Sequence, residues 1–268
     1  RRTDNSIDTF YNTNIVLTKA SGSGNLVGTS VAVTPVNGVA TFATAQFDAA
    51  STYTLYANSG SLSQITSGSI VVTLAPVTIA AWNFFGVGST SLPTFGATTF
   101  DTNLDNSSSL NQITRGPNAP WSNANNSFRT AGFQNDGISI SNLDYFQTTL
   151  KTDLGYSLSL SSIDASFGGT NTYSNSTGVD SQFAYSFDNI TYTLIGSPVN
   201  TVGSSGNATL PTIDLTVVSA LQNIPSGTTI YLRYYASGQT TTGGWGFRSA
   251  TSTSNGLEYK GNIICLQP

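Results

Sequence analysis

Short runs of β-branched and aromatic residues recur along the whole chain, and each run ends at glycine or a small polar residue. Examples are 14–19 (NIVLTK), 52–57 (TYTLYA) and 182–187 (QFAYSF). Runs of this length without helical periodicity predict β-strands. Charged residues are only 8% of the chain, and its many Ser, Thr, Asn and Gly residues favour turns and solvent-facing strand positions over helices. The pattern predicts an all-β protein.

The first segment, residues 1–76, is predicted to be an immunoglobulin-like β-sandwich that is incomplete at its N-terminus. Its strand-like runs are 14–19, 30–34, 38–43, 52–57 and 69–74. An immunoglobulin-like sandwich has about seven strands, so we expect the missing ones upstream of residue 1. Tyr53 follows a loop and opens a run, which is where a tyrosine corner places its hydroxyl against the preceding loop.

Three pieces of this segment carry a likeness to a known family. They are 36–42 (VNGVATF), 47–48 (FD) and 53–55 (YTL). In these pieces the segment resembles the immunoglobulin-like repeats of large bacterial surface proteins. The resemblance implies a fold and says little about function.

A linker is predicted at Leu74–Val77, because Pro76 restricts the residue before it and cannot donate to a β-ladder. The second segment, residues 77–268, holds many further strand-like runs joined by long connections rich in Ser, Asn, Gly and Pro. Many strands with long connections predict a larger jelly-roll β-sandwich.

Aromatic and glycine-containing motifs run through the second segment. They are 82–84 (WNF), 127–130 (SFRT), 132–133 (GF), 183–186 (FAYS), 193–196 (TLIG), 232–235 (LRYY) and 244–247 (GWGF). With these motifs the segment resembles β-sandwich modules of multidomain secreted proteins from environmental Gram-negative bacteria. The resemblance implies an accessory module that binds a ligand or spaces other domains, and it transfers no defined activity.

Histidine is absent from the chain, and Cys265 is its single cysteine. These absences remove Ser-His-Asp and Cys-His nucleophiles, imidazole acid–base chemistry, His-ligated zinc and any internal disulfide. Paired aspartates are the one hydrolytic chemistry that the composition leaves, and no motif brings two aspartates together. We therefore expect no enzyme activity.

The net charge of −4 and the scattered basic residues argue against nucleic acid as a partner. No apolar run approaches the roughly 18 residues that span a bilayer, so we expect no membrane insertion. Low charge, abundant Thr and Asn, and near-absence of Cys favour a secreted or cell-surface bacterial protein. The chain contains no Met, and we expect it to be continuous with further domains of a parent protein; an arbitrary cut is the alternative.

The three tryptophans are candidates for stacking on sugar rings, which bind exposed aromatic faces. Trp121 follows a proline in a polar loop and is the best candidate for exposure. Trp245 lies among glycines, which let a backbone approach a partner. Trp82 lies in an apolar run and is expected in the core. A structural role is the favoured alternative for Trp121 and Trp245.

Arginine stands out because charge is so scarce. Arg129 and Arg248 are candidate ligand contacts, since guanidinium groups suit carboxylates and sugar hydroxyls. Arg233 lies in a predicted strand, where a structural ion pair with one aspartate is favoured. The candidate aspartates are Asp136, Asp144 and Asp164.

Oxygen side chains alternate at Asp101, Asn103 and Asp105, a spacing that can supply three calcium ligands from one turn. The glycine and the final glutamate of an EF-hand are missing. Asx-turns produce the same string and are the alternative. A structural calcium ion is therefore the candidate cofactor that the sequence offers.

The function favoured by these observations is a non-catalytic extracellular binding or adhesion module. Its partner would be a surface glycan or another extracellular ligand. One alternative is a purely structural stalk or spacer. Another is the accessory region of a secreted hydrolase or nuclease whose catalytic domain lies outside this chain.

Overall fold

The computed structural model describes residues 4, 6–28, 31–88, 92–107, 109–133, 135–170, 177–202, 207–238 and 243–266. These residues form antiparallel β-sheets and a single 3-10 turn at Ser219–Leu221, so the predicted all-β class is confirmed. Within them, no helix has the length and apolarity needed to cross a lipid bilayer. The chain divides into two compact units, Arg1–Ala75 and Pro76–Pro268.

The described residues of the small unit form seven short strands. They are β1 (Ile15–Ser21), β2 (Leu26–Val27), β3 (Ala32–Val33), β4 (Gln46–Phe47), β5 (Ser51–Asn58), β6 (Ile65–Thr66) and β7 (Ile70–Val72). One sheet has the order β3-β1-β5-β6, with β7 also paired to β5, and β2 pairs with β4 separately. The long strand β5 therefore holds most of this unit together.

Tyr53 lies at the centre of the small unit and is fully buried. Its hydroxyl donates to the carbonyl oxygen of Ala49 at 2.6 Å and accepts from the backbone N–H of Gly24 at 3.0 Å. The ring of Phe47 stacks on it at 3.8 Å. The predicted hydrogen bond to the preceding loop is confirmed, and the immunoglobulin-like assignment stays a prediction.

The predicted run 38–43 is not a strand in the structure. Val36 and Val39 form an isolated bridge around a tight turn. The two central residues, Asn37 and Gly38, have φ values of 50° and 78°. An Asn-Gly pair adopts this left-handed backbone readily and makes two-residue hairpin turns. Local turn chemistry therefore prevailed over the β-branched pattern.

The large unit contains fifteen of the strands found among the described residues. They are β8 (Val77–Trp82), β9 (Thr94–Gly96), β10 (Thr99–Phe100), β11 (Gln112–Arg115), β12 (Ser127–Thr130), β13 (Tyr145–Lys151), β14 (Tyr156–Gly169), β15 (Val179–Ser186), β16 (Thr193–Leu194), β17 (Val199–Thr201), β18 (Asn207–Thr209), β19 (Ile213–Asp214), β20 (Thr229–Ser237), β21 (Trp245–Arg248) and β22 (Leu257–Cys265).

These strands form two sheets. The first sheet has the order β10-β8-β22-β14-β21-β12, with β18 and β19 also paired to β14. The second sheet has the order β16-β15-β20-β13-β11-β9, with β17 also paired to β15. Many neighbours in both sheets are far apart in sequence, as in a β-sandwich. The finer jelly-roll assignment stays a prediction.

Aromatic rings from both sheets meet in one core. Phe247 of the first sheet lies 4.9 Å from Tyr234 and 5.8 Å from Phe146 of the second sheet, measured between ring centroids. Phe167 of the first sheet lies 5.2 Å from Tyr234. All four residues are at most 1% exposed. This aromatic core fixes the strands that carry the site described next.

Candidate ligand-binding site

The outer face of the first sheet carries an arginine beside two glycines. Arg129 on β12 pairs with Gly246 on β21, which pairs with Gly168 on β14. The adjacent row points into the core and consists of the buried residues Phe128, Phe247 and Phe167. Because successive strand residues point to opposite faces, burying the phenylalanine row turns Arg129 outward.

Arg129 and Arg248 meet above Gly168. The Nε of Arg129 donates to the carbonyl oxygen of Gly168 at 3.1 Å. A Cβ atom on Gly168 would lie 2.5 Å from the Cδ of Arg248, so the aliphatic stem of Arg248 packs on bare backbone. Both arginines line a cavity of about 260 Å³ together with the exposed side chains of Asn123 and Asn125. We call these four residues the arginine patch.

The loop that supplies the two asparagines is tied to the sheet by its backbone. The N–H of Ser122 donates to the carbonyl oxygen of Arg129, and the N–H of Ser249 donates to that of Asn126. Asn126 has a φ of 57°, and its side-chain oxygen accepts from the N–H of Gly86 at 2.8 Å. These bonds hold the loop beside the two guanidinium groups.

Positive charge is concentrated around β12. Burial, and then the positive charge of Arg248, lower the pKa of Arg129. Arg115 lies on β11 of the second sheet; its guanidinium carbon is 3.8 Å from the ring centroid of Phe128, and it donates to the carbonyl oxygen of Arg129 at 2.6 Å. Burial lowers the pKa of Arg115 to about 10. Neither Arg115 nor Arg129 forms an ion pair with a carboxylate among the described residues.

Comparison with known proteins identifies no relative. No protein-family model matches the chain, and no curated protein or solved structure matches it. The likeness to immunoglobulin-like repeats and jelly-roll modules therefore stays an expectation from sequence patterns. Support for a function has to come from the geometry of the chain's own residues.

The two candidate tryptophans do not join the arginine patch. Trp245 is 1% exposed, stacks on Phe167 at 5.3 Å, and donates from Nε1 to the Tyr234 hydroxyl at 2.8 Å. Strand alternation points it into the core, so a structural role replaces the expected ligand contact. Trp121 is half-buried and pairs with Thr130. Paired residues share a face, so Trp121 lies on the opposite side of β12 from Arg129.

Arg233 is held by aromatic rings, and the expected ion pair with an aspartate is not formed among the described residues. Its guanidinium carbon lies 3.7 Å from the ring centroid of Tyr145 and 3.8 Å from that of Tyr192. Its Nε donates to the side-chain oxygen of Gln147 at 2.8 Å. The Tyr192 hydroxyl donates to the same oxygen at 2.8 Å. Cation–π stacking and one shared amide replace the carboxylate partner.

Sequence reasoning missed this tyrosine–arginine cluster, although a signal for it exists. On β13 and β20 the core-facing residues alternate with Tyr145, Gln147 and Arg233 on the outer face. Gln147 pairs directly with Arg233. The alternation could have assigned the outer face, but the pairing of the two strands was not readable from sequence.

The predicted calcium ligands are engaged within the protein. One carboxylate oxygen of Asp101 accepts from the backbone N–H and the side-chain amide of Asn103, at 2.9 and 3.0 Å. Asp105 accepts from the N–H of Ser107 at 2.9 Å and forms an ion pair with Lys151 at 3.1 Å. These are Asx-turns, the alternative that the spacing allowed. No cluster of three acidic or cysteine side chains occurs in the described ranges, and calcium binding stays a prediction.

Two aspartates that are separate in sequence line one open cavity. Asp136 and Asp144 border a space of about 790 Å³, together with Asn118, Asn142 and neighbouring residues. Asp144 is buried, whereas Asp136 is exposed. Paired carboxylates are what glycoside hydrolysis requires. This cavity is therefore where the expected absence of turnover has to be tested.

Proposed function

We propose that this chain is a non-catalytic binding or adhesion module of a secreted or cell-surface protein, and that the arginine patch contacts its ligand. The supporting observation is that Arg129 and Arg248 share one open cavity over Gly168. Guanidinium groups bind carboxylates and hydroxyl-rich groups through several N–H donors. Exposed amides of Asn123 and Asn125 add donors and acceptors for sugar hydroxyls.

The test is binding of the full chain to a panel of neutral and acidic polysaccharides, measured by affinity electrophoresis. We expect the double variant Arg129→Gln, Arg248→Gln to lose retardation that the wild type shows. Lys260→Gln is the matched control, because it removes one positive charge from a different part of the same sheet. Retention of full binding by the double variant would contradict the assignment of the site.

Trp121 is proposed as a separate sugar contact, on the other side of β12 from Arg129, because the residue is partly exposed. Weaker binding in Trp121→Ala, with unchanged folding, would support stacking. Unchanged binding would assign Trp121 a structural role only.

We propose a structural calcium ion at Asp101, Asn103 and Asp105. If it binds, excess EDTA lowers the melting temperature and added calcium restores it, because a ligand that binds only the folded state stabilises it. An unchanged melting temperature in EDTA would exclude a structural calcium ion.

The proposal includes the absence of turnover. Hydrolysis of any polysaccharide by the isolated chain would contradict it. Loss of that hydrolysis in Asp136→Asn or Asp144→Asn would then locate the reaction in the cavity that these two residues line.

A further inference from the structure

We propose that the arginine patch binds the carboxylate groups of an acidic polysaccharide. This inference rests on the proposed function and specifies its ligand class. Three features support this inference: the positions of the Arg129 and Arg248 side chains over Gly168, the local positive charge, and the size of the cavity.

The first feature is how the two side chains are held. Arg129 is positioned by its hydrogen bond to the carbonyl oxygen of Gly168. The stem of Arg248 lies where a Gly168 side chain would otherwise be. Both arginines line the same cavity. Because each carries several N–H donors, an acceptor with two oxygens can be bound by both at once.

The second feature is the charge around the patch. The chain has a net charge of −4, yet Arg129 and Arg248 lie together at this site. Burial, followed by repulsion from Arg248, lowers the pKa of Arg129. The ion pairs at Lys151–Asp105 and Lys260–Asp164 use lysines in other parts of the large unit. An anion bound in the cavity would relieve this repulsion, whereas a neutral ligand would not.

The third feature is the size of the cavity. At about 260 Å³ it is smaller than the pockets of about 300–1,000 Å³ that enclose drug-sized ligands. It therefore suits one charged substituent of a larger molecule. The glycine row Gly246–Gly168 adds no side chain of its own beside the cavity, and the stem of Arg248 covers Gly168.

The probe pair is polygalacturonate and its fully methyl-esterified form, which have the same sugar chain but carry ionised carboxylates and neutral methyl esters, respectively. Binding of the full chain is measured by isothermal titration calorimetry. We expect the wild type to bind the free acid about tenfold or more tightly than the ester, since a charge-assisted hydrogen bond exceeds a neutral one by about this factor. Added sodium chloride should reduce that preference through screening.

Substitutions test whether the arginine patch is responsible for the preference for the free acid over the ester. Arg129→Gln with Arg248→Gln should abolish it, and Lys260→Gln should leave it unchanged. Gly168→Ala keeps the charge but displaces the stem of Arg248, so it should weaken the preference. Tryptophan fluorescence checks that each variant is folded. A preference that persists in the double arginine variant would overturn the proposal.

A second probe pair separates carboxylate from sulfate. Chondroitin and chondroitin sulfate both carry carboxylates, and only the second carries sulfates. Equal affinity for the two would support carboxylate recognition, and binding of the sulfated form alone would overturn it.

The remaining outcomes separate the two levels of the proposal. If the wild type binds acid and ester equally, and the double arginine variant loses both, the ligand-class inference fails and the proposed function stands. If the wild type binds no polysaccharide of either kind, both fail.

Discussion

The two units of this chain bury their side chains in different ways. Among the described residues of the small unit, Tyr53 is the one large side chain that is fully buried. The large unit fully buries many large side chains: Trp82, Trp245, Tyr234, Tyr235, Tyr259, Phe84, Phe128, Phe133, Phe146 and Phe167. The small unit has no tryptophan and fewer aromatic residues for its length than the large unit, and fewer of its strands meet around one centre.

The two units are therefore stabilised by different interactions. In the large unit, burial of apolar area supplies the stability, at roughly 25 cal/mol per Å². In the small unit, a single ring organises the loops through hydrogen bonds to Ala49 and Gly24. We therefore expect the large unit to be destabilised most by substitutions that leave a cavity in its aromatic core. The small unit should be destabilised by removal of the Tyr53 hydroxyl alone.

The largest expected effect is in the large core. Phe167→Ala removes a ring that lies 5.2 to 5.4 Å from Tyr234, Trp245 and Phe247. We expect a loss of about 3–5 kcal/mol in the free energy of unfolding, because truncating a buried aromatic leaves a cavity. Denaturant unfolding followed by tryptophan fluorescence measures it, since all three tryptophans belong to the large unit.

Phe187→Ala is the matched control for that change. Phe187 belongs to the same unit and is 40% exposed. The same truncation should cost less than about 1 kcal/mol, as is usual for partly exposed positions. Equal losses in the two variants would break the claim that the aromatic core stabilises the large unit.

The next effect concerns the small unit. Tyr53→Phe keeps the ring and removes the hydroxyl that bonds to Ala49 and Gly24. The cost should be about 1–3 kcal/mol, because buried polar groups lose their partner. Faster amide hydrogen exchange across β5, with unchanged tryptophan fluorescence, is the expected result. Tyr56→Phe on the same strand is the control; its hydroxyl makes no hydrogen bond among the described residues, so exchange should not change.

A smaller loss of stability is expected from a substitution on the outer face, which tests whether the aromatic core alone stabilises the large unit. Arg233→Gln removes stacking on Tyr145 and Tyr192 at the outer face. We expect a loss of about 1–2 kcal/mol from cation–π and hydrogen-bond contacts. Lys151→Gln, which breaks a half-buried ion pair at the surface, should cost about 0–1 kcal/mol. If Arg233→Gln and Lys151→Gln lower the free energy of unfolding by the same amount, the stacking of Arg233 on the two tyrosines adds no stability beyond that of a surface charge.

The smallest effect depends on pH. Hydrogen bonds from the N–H groups of Thr191 and Ile190, and from the Ser186 hydroxyl, lower the pKa of Asp188 to about 2. A lowered folded-state pKa stabilises the fold above the usual carboxyl pKa of about 4, and that contribution is lost as the pH falls towards 2. The stability gap between wild type and Asp188→Asn should therefore close between pH 4 and pH 2. A gap that stays constant over this window would contradict the assignment.

Asp48 extends this test to the small unit. The backbone N–H and the side-chain amide of Asn25 lower the pKa of its carboxyl. Asp48→Asn should therefore change the acid dependence of amide exchange in the small unit, and tryptophan fluorescence should be unaffected. A change in tryptophan fluorescence would show that the units do not respond separately.

Much of the local structure could be predicted from the sequence. The Tyr53 hydroxyl bond was predicted from its place after a loop. The run 182–187 was predicted to be a strand, and β15 (Val179–Ser186) covers most of it. The run 52–57 was predicted to be a strand, and it lies within β5 (Ser51–Asn58). These features depend on neighbouring residues, so local propensity and turn chemistry are sufficient to predict them.

The partners of charged and aromatic side chains could not be predicted in the same way. Arg233 was expected beside an aspartate and lies between two tyrosines. Trp245 was considered for the surface and lies in the core. Its neighbour Phe167 is on β14, a strand far away in sequence. One residue of shift in that pairing would reverse which side chains face inward.

The sequence alone determined that this chain forms β-structure, that it carries few charges, and that it has no imidazole or disulfide chemistry. Only the tertiary structure decided that Arg129 and Arg248 share a cavity while Trp121 and Trp245 lie elsewhere. The reason is that composition and periodicity predict only the structure of each strand. The site forms across strands, and burial of the phenylalanine row of β12, β21 and β14 sets their register.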